Sequence, residues 1–541
     1  MRKAGRERLI RSPDSRRRPA GAILVAVAAV AAALASLASP TSAGAQSISP
    51  EIDAYLQDQV DRSPLPGLAV AVTQGEDVLH LGGYGTAGGG RPMTADTPMR
   101  VASLSKAFTA VAVLQQVERD AVDLDEPVRR YLPDFTLVDD SAAGRITVRH
   151  LLHHTSGLSD PGFPGLWRLD QHSPAERLAE LASARPSTGP GEEFDYFNRN
   201  YDVLARLVEV ASGEEFDSYL QREIFTPLGM VDTVSLTRAE DAVSATPSLA
   251  QGHVALFGAA VPRAEPEGYV AGSAGIVTTA ADLARWLPVH GNAGAAHGQR
   301  VLGADSLRLS HRPPAHVDST YAMGWVITTF GAHPALEHTG VAMTFHAEQV
   351  LLPETGHGLV LLANANHAFG DVTRIKEGLV ALLVGEPPPT HLMTHWRLIG
   401  LVAVGMTIGL LLRVRSIRRR DRWAHRRVRG PRWLRWLGVL RLLTPALLLA
   451  ALPLLISGAS GRVFPMRLLV PVTPEVVAWL TVATGTGIAL AVARVAALKR
   501  ARRTNEAGGE ASPDAGSLRR FPRCAGWPGP IRVAWPRHRR S

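Results

Sequence analysis

The sequence predicts a globular domain of mixed α and β structure over 46–385, followed by membrane-crossing helices over 396–495. Three observations carry that prediction. Short β-type runs such as GLAVAVT (Gly67–Thr73) are mixed with helical stretches such as SKAFTAVAVLQQVERD (Ser105–Asp120) through the first part. A stiff EPPPT segment (Glu386–Thr390) then marks a linker, 386–395. Beyond it, three apolar runs are separated by an arginine-rich loop.

In chain order, the first element reads as an export signal, 1–45. Basic residues reach Arg18, an Ala/Val/Leu run follows from Ala20 to Ala38, and Ala43-Gly44-Ala45 offers a small-x-small cleavage site before Gln46. Whether cleaved or retained as an anchor, this leader places the next domain outside the cytoplasm. After the linker, Leu398–Leu412, Leu442–Ile456 and Val476–Val492 are apolar. Each falls slightly short of the ~20 residues that cross a bilayer comfortably. Trp396, Trp433 and Trp436 extend the first two at the interface. The alternative is a set of buried core helices, but a soluble core has no use for so basic an intervening loop. By the positive-inside rule, 413–435 faces the cytoplasm and the 457–475 loop faces out, on the side of the exported domain. The last segment, 496–541, reads as a basic disordered tail.

The charge of +9 resembles a nucleic-acid signal until it is located. Eleven arginines and one aspartate lie within 413–435, so the rest of the chain sums to about −1. A basic nucleic-acid-binding body is excluded. The single cysteine, Cys524, excludes an internal disulfide and a cysteine-built metal site.

Lysine usage is the informative bias. Of 58 basic Lys and Arg residues, only Lys3, Lys106, Lys376 and Lys499 are lysine. Lys106 lies three residues after Ser103, one turn away on a helix face. A serine hydroxyl needs a base to become a nucleophile. Lysine serves when its surroundings favour the neutral amine, whereas arginine stays protonated. Ser105, one residue from Lys106, points to another face. A second element is PGEEFDYFNRNYDVLARLVEVASG (Pro190–Gly213), with Tyr196 and Asn198 just ahead of a helix. A phenol beside a cationic lysine loses its proton more easily, and an asparagine both donates to and accepts from an amide. A third is ALEHTGVAMTF (Ala335–Phe345), read as a strand carrying His338-Thr339-Gly340. Its edge offers a backbone N–H to an oxyanion. The paired His153-His154 sits in a structural segment with no carboxylate or cysteine beside it to complete a metal site.

In this order the three elements resemble the serine β-lactamase and penicillin-binding-protein superfamily, nearest the class C β-lactamase-like serine hydrolases (peptidase S12 type). That group includes D-alanyl-D-alanine carboxypeptidases, D-aminopeptidases and esterases. The resemblance runs over Ser49–Leu383 and includes DLDEPVRRYLPDF, ITVRHLLHHTSGL, FTPLGMVDT, AGSAGIVTTAADLARWL and YAMGWVI. It implies an α+β fold, with an antiparallel sheet flanked by helices, a helical subdomain, and the site between them. It implies Ser103 as acylated nucleophile, Lys106 as the group that helps deprotonate it, and Tyr196 as general base or proton relay. The division of labour between Lys106 and Tyr196 stays open. Asn198 would hold the substrate amide, His338, Thr339 and Gly340 would line the opposite strand, and the backbone N–H groups of Ser103 and Val341 would form the oxyanion hole. No metal or cofactor is implied.

One residue departs from the penicillin-recognising pattern. His338 stands where those members carry lysine, so a fixed cation for a substrate carboxylate becomes a group only partly charged at neutral pH. The expected protein is a multi-pass cell-membrane serine hydrolase, its domain extracytoplasmic, acting on D-amino-acid peptides, β-lactams or esters, with cell-wall peptides among its partners. Two alternatives are a true class C β-lactamase and a penicillin-binding receptor that stays acylated and signals through its helices. An intact Tyr196 favours turnover; the basic loop favours a partner.

Overall fold

The computed structural model describes residues 49–166, 172–366, 371–389, 395–460 and 462–509. The expected leader, Cys524, linker residues 390–394 and the tail past Gly509 lie outside the described residues.

The central sheet is built from both ends of the first domain. Strands β1 (Gly67–Gln74), β2 (Asp77–Gly88) and β3 (Arg91–Pro92) precede the helical part. Strands β4 (Val326–Phe330), β5 (His333–Val341), β6 (His346–Leu352) and β7 (His357–Ala363) follow it. Their order is β4-β5-β6-β7-β1-β2-β3, and every pairing is antiparallel. Five helices matter for the site: α1 (Ser49–Arg62), α2 (Ser105–Glu118), α3 (Asn198–Ser212), α4 (Ala280–Gly291) and α5 (Asp371–Leu383).

The GLAVAVT run is apolar on both faces because β1 is an inner strand, paired with β2 and β7. Successive side chains alternate faces. Leu68, Val70 and Val72 join the cluster of Ile52 and Leu56 from α1 with Ile375 and Leu379 from α5. Ala69 and Ala71 join the opposite cluster with Phe108 of α2 and Trp286 of α4, whose rings stack at 3.8 Å. The alanines on that face leave room for α4 to lie close to the strand. Helix α2 departs from the amphipathic expectation: every residue from Ser105 to Gln116 is buried. It lies between the sheet layer and the helical subdomain, and a helix covered on all sides needs no polar face.

The chain divides into two compact units, one made of residues up to Ala403 with Ala451–Ala478, the other of Val404–Ala450 with the chain from Trp479. Helices α6 (His395–Arg418), α7 (Thr444–Ser460) and α8 (Pro474–Gly509) supply the three apolar segments. Three spans, Ile399–Arg418, Arg432–Gly458 and Pro474–Glu506, are long and apolar enough to cross a membrane. Their apolar side chains face outward: Leu411, Leu447 and Leu454 are 63%, 69% and 76% exposed. Helices buried in a core would hide those leucines. In the second unit, Arg494 donates to the Gly438 carbonyl (2.6 Å) and lies 4.5 Å from the Trp423 ring centroid. The tail expectation needs correction, because α8 continues through 496–509. The stretch ALKRARRTNEA is rich in strong helix formers, and nothing breaks it before Gly508-Gly509.

Candidate active site

Ser103 lies in a single 3-10 turn, Ala102–Leu104, that runs directly into α2. Ala102, just before it, adopts φ +45°, a left-handed conformation that costs an L-residue about 1–2 kcal/mol. The turn presents the Ser103 hydroxyl, half-buried, at the end of a fully buried helix. One turn on, Lys106 is wholly buried. Its Nζ lies 3.1 Å from Ser103 Oγ and donates to the Ser273 carbonyl at 2.8 Å. The Tyr196 hydroxyl donates to the same Ser103 Oγ at 3.0 Å. Ser105 is engaged elsewhere: its Oγ accepts the Ile276 N–H at 3.1 Å.

The electrostatics separate the two candidate bases. Burial pushes the Lys106 ammonium well below its ordinary range, helped by Arg462 and opposed by Asp202. Burial also pushes the Tyr196 phenol up to about 12, against the pull of Ser103 and Arg462. Removal from water favours the neutral form of each group. The other buried lysine, Lys376, shows the contrast. It bonds Glu337 (2.6 Å) and Glu348 (3.2 Å), and these carboxylates hold it above its ordinary value despite burial. Burial thus disfavours the ammonium at Lys106, while at Lys376 the carboxylates outweigh burial and favour it.

Asn198 opens α3, two residues beyond Tyr196, and its buried Oδ1 has no hydrogen-bond partner. An orphaned buried acceptor suits an incoming amide N–H. On the opposite side, the β4–β5 ladder ends at Glu337, so residues 338–341 of β5 extend beyond that partner strand. Gly340 is required there, since a Cβ would strike the Val101 carbonyl oxygen. Without a side chain, β5 reaches the turn that carries Ser103, and Val341 ends the strand beside it. Thr339 lies between His338 and Gly340 on β5. Its hydroxyl donates to Glu348 on β6 at 2.9 Å, because adjacent residues of a strand point to opposite faces.

His338 is less charged than its type suggests. Burial, with Lys106 nearby, pushes it down to about 3. Its Nδ1 is 2.9 Å from the Thr339 carbonyl and its Nε2 is 3.2 Å from the Tyr321 hydroxyl. Nδ1 therefore carries the proton and Nε2 accepts. His154 packs its ring 4.4 Å from Tyr196, and its Nδ1 is 3.1 Å from Asn200 Nδ2 and 3.3 Å from the Phe197 N–H. Tyr321, Ser273, Asp202 and Arg462 complete the surroundings. Tyr321, Ser273 and Asp202 lie inside quoted segments, YAMGW, AGSAG and NRNYDV, without standing out there; Arg462 lies in none.

Burial also holds His153 and His311 at about 4 and drives His154 and His290 well below the ordinary value. The unfolded chain takes up these protons below about pH 6.5, whereas the folded chain does not. Stability therefore falls as pH drops through that value, because the unfolded state binds more protons. Denaturation midpoints measured from pH 7.5 down to about 5 are expected to decline before the carboxylates titrate. A flat profile across that window would contradict the neutral burial of these rings.

A profile of the beta-lactamase family matches residues 52–382. The chain is 30% identical over 342 residues to penicillin-binding protein 4 of Amycolatopsis lactamdurans, covering 60% of this chain and 87% of that one. It is 32% identical over 285 residues to esterase EstB of Burkholderia gladioli, covering 46% and 71% respectively. Among solved structures, the octameric penicillin-binding protein homologue from Pyrococcus abyssi has the same fold, with a TM-score of 0.52 at 22% identity over 63% of this chain and 78% of that one.

Proposed function

The chain belongs to the beta-lactamase family of serine hydrolases, and from that premise we propose a membrane-anchored, extracytoplasmic enzyme that hydrolyses esters or D-amino-acid peptides through an acyl-enzyme. The observation that carries this reading is the meeting of Lys106 Nζ and the Tyr196 hydroxyl on one serine oxygen, at 3.1 and 3.0 Å. With Lys106 neutral and Tyr196 protonated, the Ser103 proton passes to Lys106 as Oγ bonds to the substrate carbonyl carbon. The oxyanion forms against the backbone N–H groups of Ser103 and Val341, each donor contributing about 2.7–4 kcal/mol. Tyr196 then protonates the leaving group as the bond to it breaks. In deacylation the resulting phenolate takes a proton from water, whose oxygen attacks the ester carbon, and the Lys106 ammonium returns its proton to Ser103 Oγ as the bond to that oxygen breaks. Asn198 holds the amide or ester arm of the substrate.

A neutral His338 supports the choice of substrate. β-Lactams and peptides ending in D-alanine both present a carboxylate that a fixed cation would hold, and a histidine held at about 3 supplies none at neutral pH, which ranks esters first. Similarity to proteins named esterase EstB and penicillin-binding protein 4 agrees with an ester or peptide acyl donor. The positive-inside rule puts the 413–435 loop in the cytoplasm and the 457–475 loop outside. Arg462 in that outer segment bonds Asp160 of the domain at 2.6 Å, as expected for two parts on one side of the membrane.

Full-length protein in detergent, offered an aryl ester, a D-Ala-D-Ala peptide and a fluorescent penicillin, tests this. Turnover of the ester is expected to exceed that of the peptide and of the penicillin by about tenfold or more. Intact mass should show any adduct disappearing within the assay. A penicillin adduct that persists without turnover of any substrate would instead identify a receptor.

A further inference from the structure

The segment between the second and third apolar helices brings a cation to the reaction centre. Arg462 Nε donates to Asp160 Oδ2 at 2.6 Å, and the Val463 N–H donates to the same oxygen at 3.3 Å. The Arg462 guanidinium lies 5.2 Å from the Tyr196 ring centroid, and Lys106 Nζ lies 5.0 Å from that centroid. One phenol ring is therefore shared by the proton-transfer lysine and by an arginine from a distant part of the chain.

The segment is fastened a second time, independently. The Phe257 N–H, in the turn between strands His253–Leu256 and Ala259–Pro262, donates to the buried Glu475 carboxylate at 2.6 Å. Ala451–Ala478 accordingly belongs to the same compact unit as the catalytic residues. A single span would suffice to tether a domain. A second span that crosses back, followed by a third, is what returns a loop to the outer side and lets it reach the cleft.

We propose that Arg462 is a positioning residue of the hydrolase site, supplied by the loop between two apolar helices, which holds the Tyr196 ring and keeps the Ser103 base ready to accept a proton. This rests on the reading of Ser103, Lys106 and Tyr196 given above. A fixed cation disfavours the ammonium form of a neighbouring amine and favours a neighbouring phenolate. Both effects raise the share of the pair that is deprotonated at a given pH. The other charges around them do not duplicate this one. Asp202 of α3 acts on Lys106 in the opposite sense and is itself bonded by Arg177 and Arg199. His154 and His338 are held neutral by burial. Asp160 opposes Arg462 at Tyr196 but acts more weakly there.

The test uses the full chain in lipid nanodiscs. Rates of Ser103 labelling by a fluorophosphonate, in which the Oγ–P bond forms and fluoride leaves, are measured from about pH 5 to about pH 10 for wild type, Arg462→Gln and Arg462→Lys. The ascending limb is expected to move up by about one pH unit in Arg462→Gln and to stay in place in Arg462→Lys. Above the limb, the Gln variant should label within about threefold of wild type, which separates a shifted base from a damaged fold. A limb that does not move in Arg462→Gln, whatever its height, overturns the proposal. So does a limb displaced equally in Arg462→Lys. Labelling that survives Ser103→Ala would instead overturn the hydrolase reading itself, so the two failures are distinguishable.

Discussion

Ser103→Ala is expected to abolish covalent labelling and to reduce hydrolysis by at least about a thousandfold, while Ser105→Ala leaves labelling intact. The two serines are separated by two positions and by everything around them. Ser103 Oγ is contacted by both Lys106 and Tyr196 and sits half-exposed to the cleft. Ser105 is buried, with its hydroxyl accepting the Ile276 N–H. Its removal leaves a buried donor unpaired, at a cost of about 1–3 kcal/mol in stability rather than in chemistry. Intact-mass analysis after fluorophosphonate treatment reads the first effect, and a denaturation midpoint reads the second. A fully labelled Ser103→Ala protein would remove the nucleophile from this account.

The parts of the site that could be read from sequence are those where chemistry depends on local spacing. Ser103 with Lys106, and Tyr196 with Asn198, are each within a few residues of one another, so a short pattern contains both members. The scarcity of lysine sharpened the first pair, because an arginine-rich chain had to make an exception at that position. The sheet was less accessible. GLAVAVT announces a strand buried on both faces, but nothing local says that β1 pairs with β7, nearly three hundred residues later. The polar surroundings were hidden for the same reason. Asp202, Ser273, Tyr321 and Arg462 are drawn together only by folding, and each looks like an ordinary surface residue in its own stretch. His338 was legible in identity but not in charge, since its neutrality depends on burial and on Lys106. The alternation of β5 explains why the three residues of its motif do not act alike. His338 turns toward Tyr321, Thr339 toward Glu348, and Gly340 makes room for the turn that carries Ser103.

The second large effect follows from what kind of base the site needs. Lys106→Arg is expected to lose about 10²–10⁴-fold in acylation rate, close to Lys106→Ala, even though it preserves charge. The position is wholly buried, and its Nζ reaches both Ser103 Oγ and the Ser273 carbonyl. An amine there can release its proton because burial and Arg462 both disfavour the ammonium. A guanidinium cannot, and the carboxylate that acts on this position, Asp202, is already paired with Arg177 and Arg199. Lys376 supplies the internal control. It is also buried, but its partners are the carboxylates of Glu337 and Glu348, and it is held in the charged state. Lys376→Arg keeps what that position uses, so hydrolysis should remain within about tenfold of wild type, with any loss traced to overpacking of about 1–3 kcal/mol. The same conservative exchange should therefore silence one buried lysine and spare the other. Single-turnover acylation rates, measured on variants with matched denaturation midpoints, decide the matter. Near-normal acylation by Lys106→Arg would mean that Lys106 acts as a fixed charge and that the proton leaves Ser103 by another route, with Tyr196 the group in contact to take it.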